Sequence, residues 1–137
     1  MNIAVAVDGS KNALRAAQYA ITLASHFPLA QLEVIYVADY NKAKDEYLLT
    51  QSPESLALLR EQKLHPIVEL AEKENINVTT VILKGKPSEE IIQYVNQKKM
   101  DHLVIGSRGL NAFQEMIVGS VSHKVMKYVK CPMTIVK

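Results

Sequence analysis

Three glycines and two serines frame the stretch GSRGLNAFQEMIVGS, from Gly106 to Ser120, and spacing of this kind suits a backbone that must either turn or approach an anion. Gly106 closes a short apolar run, Gly109 follows after two residues, and Gly119-Ser120 follows after nine more, directly ahead of a helical pattern. Glycine lets N–H groups come close to a ligand, and a helix N-terminus adds unpaired donors and the positive end of a dipole. Strand, glycine turn and helix start therefore make an anion site when they meet. Ser120 and Ser122 would add hydroxyl donors. No Gly-Lys-Ser/Thr follows, and there is no G-x-G-x-x-G, so the stretch is neither a Walker loop nor a dinucleotide fingerprint. Taken singly, a glycine at a strand end is most often a turn and a serine before a helix most often a cap. A second polar candidate, Asp8, ends the run IAVAV; a carboxylate there can accept from ribose hydroxyls or from the nearby backbone.

Other residues with reactive side chains do not assemble into a catalytic pattern. His26, His65, His102 and His123 have no companion Ser/Asp or Cys/Asp arrangement, and His123 alone lies near the glycine stretch, where a surface or capping role suits it. Cys131, the single cysteine, cannot form an internal disulfide and has no neighbouring ligand residues; it reads as a small buried residue in a chain from a reducing compartment. Sixteen basic against fourteen acidic residues leave a net charge of +2 with no basic stripe, so neither nucleic acid nor a membrane surface is an expected partner. No segment approaches the roughly 18 apolar residues of a membrane span, and the start MNIAVAVDGS is unlike a secretory leader, which predicts a cytoplasmic protein.

The elements that must position these residues follow from hydrophobic periodicity. At 137 residues, 48% of them apolar and 22% charged, the chain is expected to form one domain, 1–137, with its own core. Five short runs rich in β-branched residues, Ile3 to Val7, Leu32 to Val37, Asn77 to Leu83, His102 to Gly106 and Met133 to Lys137, read as buried parallel strands. Between them lie four helical patterns. The first, capped by Ser10, carries Ala13, Leu14, Ala17, Ile21 and Ala24 on one face. The second covers residues 53 to 74, with a kink or break expected at Pro66. The third opens at Pro87 with Glu89 and Glu90 in its first turn, and the fourth begins near Gly119-Ser120. Strand and helix alternate throughout, which predicts an α/β fold: an open five-stranded parallel sheet with helices on both faces. In such sheets ligands bind beyond the carboxyl ends of the strands, where the order reverses, so Asp8 to Ser10, Val37 to Asp39 and the 106 to 120 stretch are the candidate rim. The long polar connection from Ala38 to Pro53 reads as a mobile cover or a partner surface, with Tyr40 and Tyr47 packing it.

These residues resemble the ATP-binding branch of the universal stress protein family. Gly106, Gly109, Gly119 and Ser120 match the family pattern G-x2-G-x9-G-[S/T] without a spacing error, and IAVAVDGS, YVAD, KGKP and KCPMTIVK match in order along essentially the whole chain. The resemblance implies a Rossmann-like fold of the adenine nucleotide alpha hydrolase type and ATP as ligand. It places Asp8 on the ribose and adenine side with Ala6 lining the same pocket, and Val37 at the adenine. It sets Gly106, Arg108 and Gly109 around ribose and phosphates, Arg108 at a position that varies in the family, and Gly119, Ser120, Val121 and Ser122 at the phosphate chain. Magnesium would be held mainly by the phosphates, since no carboxylate cluster is visible for it. The resemblance also implies a homodimer formed largely through Met133 to Lys137, an apolar terminal strand whose open edge would be a liability unless paired. The implied role is regulatory, with the bound nucleotide setting dimer state or partner choice in stress. Two alternatives stand beside it: a slow ATPase, slow because no base is evident, and a nucleotide-independent dimeric interaction module.

Overall fold

In the computed structural model, which describes residues 1–38, 53–107 and 119–137, strands and helices alternate from one end of the chain to the other. The order is β1 (Asn2–Val7), α1 (Lys11–Ser25), β2 (Gln31–Ala38), α2 (Pro53–Lys73), β3 (Asn77–Lys84), α3 (Pro87–Lys98), β4 (His102–Gly106), α4 (Ser120–Tyr128) and β5 (Met133–Val136). All pairings are parallel, in the order β3-β2-β1-β4-β5. The chain first winds outward from β1 to β3 and then crosses back to β4 on the other side. The order therefore reverses between β1 and β4, whose register pairs Ala6 with Ile105. The open five-stranded parallel sheet read from the sequence is the one formed.

Alternation along each strand sends side chains to two cores. Ile3, Val5 and Val7 of β1, Leu32, Val34 and Tyr36 of β2 and Val104 of β4 pack under α1 and α2. Ala4, Ala6, Ile35, Leu103 and Ile105 pack on the opposite face under Ile91 and Val95 of α3 and Val125 of α4. Full burial of each large aliphatic side chain contributes about 1.5–3 kcal/mol, and Ile3, Val5, Leu32, Val34, Ile35, Leu103 and Val104 have no exposure at all. The face that α1 turns to the sheet is small: Ala13, Ala16, Ala17, Ala20 and Ala24 are all buried, which brings the helix axis close to β1 and β4. Ser10 caps α1 as expected, its Oγ accepting the Ala13 N–H at 3.1 Å.

Two local readings need adjustment. Of the kink or break expected at Pro66, the break does not occur: α2 runs through the proline from Pro53 to Lys73. Proline leaves the carbonyl four residues earlier, that of Gln62, without a helical donor, but Gln62 and Pro66 both lie on the exposed side, where solvent can satisfy it. The strand β3 is less buried than its apolar sequence suggests, with Thr79, Thr80 and Ile82 exposed, because it forms one edge of the sheet. The connection holding Tyr40 and Tyr47 lies outside the described residues.

The helices over the second core are tied to each other at their C-terminal ends. Asn96 Nδ2 donates to the Tyr128 carbonyl at 3.2 Å, while Asn96 Oδ1 accepts the Lys130 N–H at 2.9 Å. Deeper on the same face Tyr94 donates to Glu33 Oε1 at 2.5 Å. Burial, then this bond and the charge of Glu33, push the phenol up to about 12.

Candidate functional site

The site is built where β1 and β4 end side by side. Beyond β1 the chain turns at Asp8-Gly9-Ser10: Asp8 Oδ1 accepts the Ser10 N–H at 2.9 Å, and Gly9 takes a left-handed φ of 84°. One carboxylate oxygen of Asp8 is thus engaged by the local backbone, the second of the two roles its sequence position allowed. The turn sets Ser10 as the cap of α1 and holds Asp8, only partly buried, at the rim.

Beyond β4 the arrangement is different. The Gly119 N–H donates to the Ser107 carbonyl at 2.6 Å, so the chain re-enters beside the point where β4 ends. Gly119 is the N-cap of α4, with φ −66° and ψ 162°, values open to any residue. Backbone conformation is therefore no reason for a glycine here. Without a side chain Gly119 caps nothing, in contrast to Ser10 on α1. The first-turn N–H groups of Ser120, Val121 and Ser122 have no intrahelical acceptor by the geometry of a helix start, and they carry the positive end of its dipole. Ser120 is exposed at this end. Ser122 points inward: it is buried, and its hydroxyl donates to the Gly106 carbonyl at 2.6 Å, fastening α4 to the last residue of β4. Its hydroxyl proton is committed to the protein, leaving its backbone N–H as the available donor.

The apolar residues named for the site converge on one face. Ala6, near the end of β1, Val37, near the end of β2, and Val121, in the first turn of α4, belong to the core beneath α3 and α4, as does Ile105 of β4. Arg108 and Gly109 lie outside the described residues. Of the ten residues read from the sequence, the remaining eight flank the ends of β1, β2 and β4. A groove of about 200 Å³ also opens between α1 and α2, lined by Gly9, Ser10, Leu14, Lys63 and Ile67, but it lies on the opposite face of the sheet from Ala6 and Val37.

Two residues beside the site went unread in the sequence. Ser107 is buried, donates its N–H to the Val136 carbonyl at 2.8 Å and accepts from Gly119. Asn12, in the first turn of α1, is buried and donates from Nδ2 to the same Val136 oxygen at 3.2 Å. A signal existed for Asn12: it is in helical phase with Ala16 and Ala20, a polar residue on a face otherwise apolar.

The remaining reactive groups sit elsewhere. His102 is at the far end of β4, its Nε2 2.8 Å from Thr134 Oγ1, and burial lowers its pKa. Cys131 is half-buried, and burial raises its thiol above the usual range. Among the described residues no three His, Cys, Asp or Glu side chains are grouped to hold a metal, and no helix is long and apolar enough to cross a membrane.

Comparison with known proteins gives a consistent result. The model of the universal stress protein family matches residues 1–137. A universal stress protein of Methanocaldococcus jannaschii is 31% identical over 140 aligned residues, covering 98% of this chain and 81% of that protein. Among solved structures, universal stress protein UspA from Lactobacillus plantarum superposes with a TM-score of 0.85 at 25% identity, covering 100% of this chain and 97% of that one. Two others share the fold at lower identity. A universal stress protein in complex with cAMP has a TM-score of 0.72 at 22% identity, covering 99% of this chain and 95% of that one. One from Archaeoglobus fulgidus in complex with dAMP has a TM-score of 0.73 at 19% identity, covering 100% and 98%.

Proposed function

Since the chain belongs to the universal stress protein family along its whole length, we propose that it is an ATP-binding regulatory protein that works as a homodimer. The observation that carries this reading is the uncapped, glycine-led start of α4, delivered by the Gly119–Ser107 hydrogen bond to the end of β4, one strand from Asp8. An anion seated there meets several backbone donors and a helix dipole, worth about 0.3–2 kcal/mol from the dipole alone. Family members of the same fold hold cAMP and dAMP, which supports an adenine nucleotide as that anion.

In this reading Ala6 and Val37 line the adenine pocket, and the Asp8 oxygen not engaged by Ser10 accepts from the ribose. Gly106, Arg108 and Gly109 enclose ribose and phosphates, while Ser120, Val121 and Ser122 present donors to the phosphate chain and Gly119, its own N–H held by Ser107, gives the chain room to approach. Magnesium is held by the phosphates, which suits a rim without a carboxylate cluster among the described residues. The homodimer forms through the edge of β5, and the bound nucleotide biases which partner or dimer state is populated.

The test is direct. Nucleotide released from the purified protein is identified by mass spectrometry, and ATP with magnesium is titrated calorimetrically into the wild type and into Gly119→Val. The backbone angles of Gly119 accept valine, so the variant should fold, and its ATP affinity should drop by roughly tenfold or more. Unchanged affinity in a folded Gly119→Val protein would sink the phosphate assignment. ADP release far above a slow background would favour an ATPase, and a wild type that binds no nucleotide would favour the interaction module.

A further inference from the structure

The side chain of Asn12 stands between three pieces of backbone. It is 8% exposed, and its Nδ2 donates to the Val136 carbonyl at 3.2 Å, an oxygen that also accepts the Ser107 N–H at 2.8 Å. Its Oδ1 lies against Gly106: a methyl group built on Gly106 would fall on that oxygen and come within 3.0 Å of Asn12 Cγ. The next atom such a methyl would meet is the Asn12 backbone oxygen at 3.4 Å, an ordinary contact. Gly106 is not among the glycines with positive φ, so its conformation does not require glycine either. Among the described residues, what a side chain at position 106 would strike first is the Asn12 amide, which would have to move.

We propose that Asn12 is a positioning residue of the nucleotide site, and that Gly106 is a glycine in order to receive it. The inference rests on the nucleotide-binding reading above. The site has two halves, Asp8 with the start of α1 on one side and the end of β4 with the start of α4 on the other. Asn12 spans them. By pressing on Gly106 and holding Val136, it sets how far β4 and β5 end from α1. Ser107 carries that placement on, since its N–H shares the Val136 acceptor and its carbonyl receives the Gly119 N–H at 2.6 Å. Asn12 touches no ligand in this scheme; it fixes the distance between groups that do.

A four-protein cycle tests the inference: wild type, Asn12→Ala, Gly106→Ala and the double variant, each measured for ATP affinity by calorimetry and for urea unfolding midpoint. In the wild-type background Gly106→Ala should weaken ATP binding roughly tenfold and lower the midpoint. Asn12→Ala should weaken binding by several fold while circular dichroism stays native. With Asn12 already alanine, adding Gly106→Ala should change affinity by less than about twofold, because the obstruction is gone. An equal loss from Gly106→Ala in both backgrounds would mean that the missing side chain makes room for something other than the Asn12 amide, and the proposal would fail. It would also fail if Asn12→Ala lowered the midpoint and left affinity untouched, since Asn12 would then be a packing residue only. A wild type that binds no ATP is recognised before any variant is made and overturns the functional reading. The midpoints then decide the packing claim by themselves, with a loss from Gly106→Ala confined to the Asn12 background supporting it and an equal loss in both refuting it.

Discussion

Ser122 shows how one buried hydroxyl can fix where a helix begins. It is 4% exposed and donates at 2.6 Å to a carbonyl that closes β4. Ser122→Ala removes the donor and strands a buried acceptor, a change that costs about 1–3 kcal/mol. Urea unfolding should register that loss, and ATP should bind more weakly because the start of α4 is no longer fastened to Gly106. A Ser122→Ala protein with wild-type stability would mean the bond is idle. The two serines of the motif thus differ in a way that spacing does not reveal. Ser120 and Ser122 read alike as hydroxyl donors in the sequence, yet one is exposed and the other buried, because only the docking of α4 on β4 determines which turn faces inward. Asn12 was obscured for a related reason. Its phase with Ala16 and Ala20 is visible in the sequence, but its neighbours Gly106 and Val136 come from β4 and β5, and nothing local to Asn12 names them.

At the scale of elements, the strands were legible because parallel strands buried on both faces must be apolar along their buried length, as β1 is from Ile3 and β4 from Leu103. Helix starts were legible wherever a cap or a first-turn proline announces them: Ser10 for α1, Pro87 for α3. The course of α2 through Pro66 was not, since tolerance of a proline depends on which side of the helix meets solvent, and that is settled by packing. The joint between α3 and α4 was equally hidden, being one asparagine with two partners more than thirty residues away. Replacing Asn96 by alanine deletes both bonds and should lower stability by about 1–2 kcal/mol, while ATP affinity holds, because the joint lies at the opposite end of α4 from Gly119. A change in affinity as large as the change in stability would show that the C-terminal end of α4 also governs its start.

At the scale of the molecule, the open question is the edge of β5. Parallel pairing uses alternate residues: the carbonyls of Pro132 and Val136 accept from Leu103 and Ser107, so Met133 and Ile135 direct their backbone groups to the free side. All four residues of β5 are only half-buried. A second copy pairing there would satisfy that edge, and lysine is a residue that blunts such pairing. Light scattering on the eluting protein should give the mass of two chains for the wild type and of one for Met133→Lys, with far-UV circular dichroism unchanged. Two chains in both would remove β5 as the interface.

The crossing from β3 back to β4 also governs when the site can exist. Asn2 and Asp101, which exchange hydrogen bonds at the foot of the β1–β4 pair, are 99 positions apart, and closing so long a loop is among the slower events a chain of this size performs. The partial sheet β1-β2-β3 can assemble from sequential neighbours while the crevice has only one wall. On the nucleotide-binding proposal, a ligand that needs both walls would recognise nothing that a nascent or half-unfolded chain presents, and it would act on the lifetime of the finished protein rather than on the speed of its assembly. For a protein of this family, occupancy would then report two quantities at once: how much nucleotide is present, and how much of the protein has reached its final form.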